Sequence, residues 1–126
     1  MSAKFRFSRR SLKALAGVHP DLIAVARLGL RLSPHDFVVT EGVRSIDRQR
    51  ELVEAGASRT MHSKHLTGEA FDFAVLINGR VTWDFARYRE VAHEIKRGAE
   101  FLGVSIKWGG DFKSFRDGPH IQLETK

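Results

Sequence analysis

The sequence predicts an α+β domain, with a small, largely antiparallel sheet packed against helices. Apolar residues at helical spacing and short β-rich runs both occur along the chain. They mix without the regular alternation that builds a parallel sheet, and an Asn78-Gly79 turn links two of the runs.

The elements follow in order. Ser8 is placed to cap a short helix carrying Leu12 and Leu15 and ending at Gly17. Pro20 sits where a first-turn proline belongs, and Leu22, Ile23, Ala26 and Leu30 continue at helical spacing until Ser33-Pro34. Phe37 to Thr40 reads as a strand. Ser45 caps a third helix with Ile46, Gln49, Leu52 and Val53 on one side and Gly56 at its end. The polar stretch from Ala57 to Thr67 reads as a loop. Ala70 to Val75 is a strand, and the Asn-Gly turn leads to a second at Arg80 to Thr82. Asp84 caps the longest helix, whose apolar face is Tyr88, Val91, Ala92, Ile95, Ala99 and Leu102, and Gly103 ends it. Val104 to Trp108 and His120 to Leu123 are the last two strands.

With 126 residues and no visible repeat or linker, residues 1–126 read as one domain. Hydrophobic residues make up 42% and charged residues 29%, the balance of a soluble globular protein. There are no cysteines, which excludes disulfides, zinc-thiolate sites and cysteine nucleophiles, so a metal site must use His, Asp or Glu. The N-terminus is basic but carries no long apolar run, and nothing approaches a membrane span. The expectation is a chain made and kept in the cytoplasm unless another system releases it. The net charge of +6 suits an anionic partner such as nucleic acid, acidic lipid or cell wall, or simply a solvated basic surface. The basic residues are scattered, with no dense run interleaved with aromatics, so no nucleic-acid partner is expected.

Two segments carry polar residues that a core would not choose. In the first, Asp72 lies inside an apolar strand between Phe71 and Phe73, where a carboxylate is costly unless paired. Neighbouring strand residues point to opposite faces, so Asp72 need not share the surroundings of the two phenylalanines. His65 lies in the loop leading to this strand. In the second, His120 opens a strand and Asp117 precedes it by three residues across a Gly-Pro turn. A catalytic zinc takes roughly three protein ligands from His and carboxylate and keeps one position for water, so Zn2+ fits the set His65, Asp72 and His120. A carboxylate that is not a ligand can take the proton of that water, and Asp117 is the candidate. Lone His and Asp residues more often serve structure, and no compact motif such as H-E-x-x-H is present. Spacing alone leaves both readings open.

The pattern Ser63-x-His65-x-x-Gly68-x-Ala70-x-Asp72, followed downstream by Asp117-x-x-His120, resembles the VanY/VanX-type zinc peptidases. That family includes D-alanyl-D-alanine carboxypeptidases and dipeptidases and phage L-alanyl-D-glutamate endopeptidases (endolysins). The resemblance runs from about the second helix to the end. Leu32-Ser33-Pro34-His35-Asp36-Phe37 and Glu41-Gly42-Val43-Arg44-Ser45 look like the segment before the family's arginine, and Trp108-Gly109-Gly110-Asp111-Phe112 resembles its Gly-Gly-Asp segment. The short chain looks most like a single-domain phage endolysin.

The resemblance implies His65, Asp72 and His120 as zinc ligands, at the sheet, and Asp117 as general base. Many members carry Glu at the last position, and Asp is similar to the endolysin branch. Arg44 matches the arginine that steadies the substrate carbonyl and its oxyanion, and Ser63 is implied as a substrate or supporting contact. The implied activity is metal-assisted hydrolysis of the L-alanyl-D-glutamate bond in the peptidoglycan stem peptide, in host-cell lysis. It further implies a monomer without a membrane anchor that waits in the host cytoplasm and reaches the periplasmic wall through a membrane-permeabilising partner (a holin). Two alternatives stand beside it: cleavage at D-alanyl-D-alanine, or a non-catalytic module that binds cell wall or nucleic acid. Asp111 is read as a turn residue, His62 as solvent-facing, and His19, His35 and His93 as lacking motif context. Trp108 and Phe115 are read as cleft wall or core.

Overall fold

A computed structural model describes residues 5–114 and 116–124. Phe115, a candidate for the cleft wall, lies outside the described residues. The described residues form four α-helices, α1 (Arg9–Leu15), α2 (Pro20–Leu32), α3 (Ile46–Glu54) and α4 (Phe85–Leu102), and five strands, β1 (Asp36–Glu41), β2 (Ala70–Ile77), β3 (Arg80–Thr82), β4 (Ile106–Trp108) and β5 (His120–Leu123). All pairings are antiparallel, in the order β1-β2-β5-β4, with β3 also on β2. This is the α+β domain that the sequence predicts. No helix among the described residues is long and apolar enough to cross a membrane.

The predicted caps form. Ser8, Ser45 and Asp84 accept backbone N–H groups at the starts of α1, α3 and α4, and Gly103 closes α4 in the left-handed region. His19, which has no motif context in the sequence, accepts the N–H of Asp21 and caps α2. Several boundaries differ from expectation, and β1 is one residue longer at each end. The stretch read as loop ends in a 3-10 turn, Lys64–Thr67, β2 continues to Ile77, and β4 begins at Ile106 rather than Val104. Val104 donates to the carbonyl of Ala99, so its backbone still belongs to the cap of α4. Leu102 was expected on the apolar face but is exposed, because the buried face of α4 stops at Ala99.

One face of the sheet carries Phe37, Val39, Phe71, Phe73, Val75 and Ile121, all buried in a single core with Leu22, Val25, Tyr88, Val91 and Ile95 from α2 and α4. Trp108 belongs to this core, and its indole N–H donates to the carbonyl of Gly118 at 2.7 Å. The two helices touch where α2 has no side chain, at Gly29. A Cβ there would lie 2.8 Å from Ile95 Cγ1 and 3.2 Å from its Cα. Gly29→Ala should therefore destabilise the fold. Overpacking of this kind costs about 1–3 kcal/mol, more than the roughly 0.8–1.0 kcal/mol gained in helix propensity. A lower urea midpoint with unchanged slope is the expected result, and a raised midpoint would mean that the helices have room to part.

Candidate metal centre

The site is built on the face of the sheet opposite the core. Asp72 on β2 stands opposite His120 on β5 and Glu41 on β1. Directly opposed residues of antiparallel strands project to the same side, so Glu41, Asp72 and His120 form one row across three strands. The register of β1 sets part of this row. Val39 pairs with Phe73, and an unbroken ladder would bring Thr40 opposite Asp72, but a bulge places Glu41 there instead. Phe71 and Phe73 flank Asp72 in sequence, point the other way and are fully buried.

His65 enters from the 3-10 turn. The Ser63 hydroxyl accepts the His65 N–H and caps that turn, and the His65 carbonyl accepts the N–H of Arg44 at 2.9 Å. His65 Nδ1 lies 2.8 Å from the carbonyl of Gly42 and must donate to it. Gly42 is glycine for a steric reason, since a Cβ there would run into the carbonyl of Ala14 and the side chain of Val18. On the other side, His120 Nε2 donates to Gln122 Oε1 at 2.8 Å. Each ring thus has one nitrogen spent on a carbonyl oxygen, which fixes its tautomer.

The remaining nitrogens, His65 Nε2 and His120 Nδ1, lie 3.1 and 3.2 Å from the same oxygen, Asp72 Oδ1. The ligand atoms of the three residues all fall within 4.8 Å of one another. With both rings neutral, three electron-pair donors face a common point, and only a cation or extra ring protons relieve their repulsion. Two imidazoles and a carboxylate are a donor set that suits a divalent metal ion. His65 is 2% exposed and His120 is 8% exposed, so neither ring finds this relief in bulk water.

The electrostatics agree. Burial works against ionisation of Asp72, but hydrogen bonds from His120 and His65 and the charge of both rings outweigh it and hold the carboxyl well below the usual range. Burial likewise works against a charged His120, yet the hydrogen bond to Asp72 and its negative charge raise that pKa. Asp117 moves the other way from Asp72. Shielding from water raises its pKa first, and the negative charge of Asp72 adds to it.

An open cleft of about 610 Å³ lies over this row. Arg44, Ser63, His65, Asp72, Asp117 and His120, all six residues singled out in the sequence, line it. Asp117 makes no side-chain bond to the His120 ring among the described contacts. Its tie to that strand is through the backbone, where its carbonyl accepts the His120 N–H at 3.1 Å. Arg44 is more committed than the sequence suggests. Its Nε donates to Glu41 Oε1 at 3.0 Å and its Nη1 to Gln49 Oε1 at 2.7 Å, while Nη2 reaches both Glu41 Oε1 and, at 3.5 Å, Asp72 Oδ2. His62 is exposed at the cleft rim, and Asp111 forms a 3-10 turn with Gly109-Gly110 and pairs with Lys96. Glu41, Gln49 and Gln122 were not singled out as site residues. Gln122 carried a usable signal, because a residue two along a strand shares the face of His120.

A family model described as phage L-alanyl-D-glutamate peptidase matches residues 1–124. The chain belongs to this family. The L-alanyl-D-glutamate peptidase of Escherichia phage T5 is 36% identical over 134 residues, spanning 94% of this chain and 98% of that protein. The crystal structure of the Serratia marcescens L-Ala D-Glu endopeptidase ChiX superposes with a TM-score of 0.91 at 47% identity, over 96% of this chain and 91% of that one. The D,D-dipeptidase VanXYg, solved with a D-Ala-D-Ala phosphinate analogue, gives a TM-score of 0.54 at 17% identity over 84% of this chain and 50% of that one, a likeness of fold alone. The resemblance drawn from the His65–Asp72 and Asp117–His120 motifs therefore holds at the level of family and fold.

Proposed function

We propose that this chain is a zinc-dependent peptidase of bacterial peptidoglycan that hydrolyses the L-alanyl-D-glutamate bond of the stem peptide. The convergence of His65 Nε2, His120 Nδ1 and Asp72 Oδ1 at the floor of an open cleft carries this reading, in a chain of the phage L-alanyl-D-glutamate peptidase family.

His65, Asp72 and His120 hold the ion. When bound, zinc supplies Lewis acidity toward the scissile carbonyl and makes water acidic near neutral pH. Asp117 accepts the proton of the attacking water and returns it to the leaving amine. Its raised pKa strengthens it as a base toward water, and the proton it takes up is the one it returns to the amine. Arg44 holds Asp72 through Oδ2 and brings positive charge to the side of the cleft where the oxyanion develops. One N–H of Nη1 remains for a substrate oxygen after the bonds to Glu41, Gln49 and Asp72 are counted. Ser63 uses its oxygen to cap the turn of His65 and keeps its O–H to donate to substrate. The protein acts as a monomer, and in host-cell lysis it waits in the cytoplasm for a holin-type partner to open the membrane.

Digestion of purified wall, with and without a chelator, tests the reading. New D-glutamyl amines that appear only with metal are the expected products. Released D-alanine in their place would move the cut to D-alanyl-D-alanine, and no metal-dependent product would favour a binding module.

A further inference from the structure

We propose that Gln49 on α3 is a positioning residue for the hydrolysis: its side-chain amide holds the Arg44 guanidinium in one plane and so aims the N–H that Arg44 keeps for a substrate oxygen. This deepens the peptidase reading above and rests on it.

Gln49 is buried where an apolar residue would serve. α3 also carries Ile46, Leu52 and Val53, yet Gln49 is the one buried residue of that helix among the described residues, and it is fully buried. An apolar side chain would dock the helix without the penalty that a buried amide carries unless its bonds are made. Gln49 makes them. Its Oε1 accepts from Arg44 Nη1 at 2.7 Å, and its Nε2 donates to Ser58 Oγ at 2.9 Å and to the carbonyl of Thr60 at 2.6 Å. The amide fits only one way round. Turned over, it would set its NH2 against the N–H groups of Arg44 and its oxygen against the Thr60 carbonyl.

The guanidinium depends on this bond for its orientation. Nε and Nη2 both donate to Glu41 Oε1, a single atom, and a planar group held at one atom is free to tilt about it. Asp72 Oδ2, at 3.5 Å from Nη2, is too distant to prevent the tilt. Gln49 Oε1 is the second fixed point. The two N–H groups of Nη1 diverge at a fixed angle in the guanidinium plane, so holding one aims the other. Arg44 lines the cleft, and the N–H left over is the one open to substrate.

The far side of the amide decides where Oε1 stands. Ser58 and Thr60 line the cleft, and the Thr60 hydroxyl accepts the N–H of His62, one residue before Ser63. Gln49 thus ties Arg44 to the wall that leads to Ser63, so the two substrate contacts share one frame. A small error in such a frame lowers the rate of the chemical step more than it weakens binding.

Kinetics of Gln49→Met test this, on a soluble stem peptide that contains the L-alanyl-D-glutamate bond. Methionine keeps the length of the side chain and removes both halves of the amide. Zinc content and the urea midpoint are measured for every protein, so that lost metal or lost fold is counted separately. At full zinc occupancy kcat should fall on the order of 10-fold, with KM little changed. Outright removal of an oxyanion donor costs more, roughly 100-fold or above. The decisive readout is the same substitution in an Arg44→Lys background, which keeps the charge but has no planar fork to aim. There Gln49→Met should change kcat little, because a residue that acts through another is not additive with it. Gln49→Asn, one methylene too short to bond both sides at once, should show the same pattern, and it replaces the Met variant if that one does not fold. An equal fold-loss of kcat in both backgrounds overturns the proposal. So does an unchanged kcat in the single variants, or a loss that only follows zinc content or folded fraction. In each of these cases the parent still cleaves the peptide, and the peptidase reading stands. A zinc-loaded parent that leaves the peptide intact removes both.

Discussion

Asp72→Asn is expected to lose metal and hydrolysis together. Asp72 Oδ1 is the one atom that both ring nitrogens face, at 3.1 and 3.2 Å, and its other oxygen lies 3.5 Å from Arg44. A neutral amide keeps the shape but is a poor ligand for a divalent ion, and it leaves the Arg44 guanidinium with one less counter-charge. Loss of a supporting group around a metal typically costs 10–100-fold in affinity, so loss of a ligand should cost at least about 100-fold. His65→Ala and His120→Ala should behave alike, since each removes one of the three converging donors. Stability should fall as well. A metal present at about 100 times its dissociation constant contributes about 2.7 kcal/mol to folding, and a variant that no longer binds it forfeits that amount. Elemental analysis and thermal unfolding with and without added zinc measure both effects. A variant at any of the three positions that keeps full zinc occupancy would falsify that residue's place in the centre.

Asp72 was legible because its local surroundings were unusual, whereas its grouping with His65 and His120 rested on the family resemblance. Asp72 between two phenylalanines broke the apolar pattern of β2, and strand periodicity already placed it on the face opposite them. Helix caps at Ser8, Ser45 and Asp84 were legible for a similar reason, since their bonds close within a few residues. What the sequence hid depends on long-range register. Glu41 stands opposite Asp72 only because β1 bulges after Val39, and a single residue of slip would have put Thr40 there. Gln49 fell on the inner side of α3 among apolar residues, yet it is an anchor joining Arg44 to Ser58 and Thr60. Its partners lie up to eleven residues away in a stretch that reads only as polar loop. The commitment of Arg44 to Glu41 and Asp72 is hidden for the same reason, because a motif names residue types and not their hydrogen-bond partners.

Asp117→Asn should fail differently from Asp72→Asn. The carboxyl of Asp117 lines the cleft but is not one of the three groups that converge on a common point. The Gly118-Pro119 turn carries it, and the bond from His120 N–H to its backbone carbonyl survives the substitution. The variant should therefore fold, bind zinc as the parent does, and lose on the order of 100-fold or more in kcat, the range expected when a general base is removed. The pH dependence gives a second readout. A base works only when deprotonated, so kcat/KM should rise with pH through the pKa of Asp117, which shielding and the charge of Asp72 place above the ordinary carboxylate value. At saturating zinc the Asn variant should lack that acidic limb. Near-normal turnover by a zinc-loaded Asp117→Asn protein would give the base role to another carboxylate. Glu69 is a weak replacement, since it accepts from Thr67 and is not among the described residues lining the cleft. Glu41 does line it, but its Oε1 already accepts from Arg44, so Glu41→Gln in the Asp117→Asn background would then separate the two.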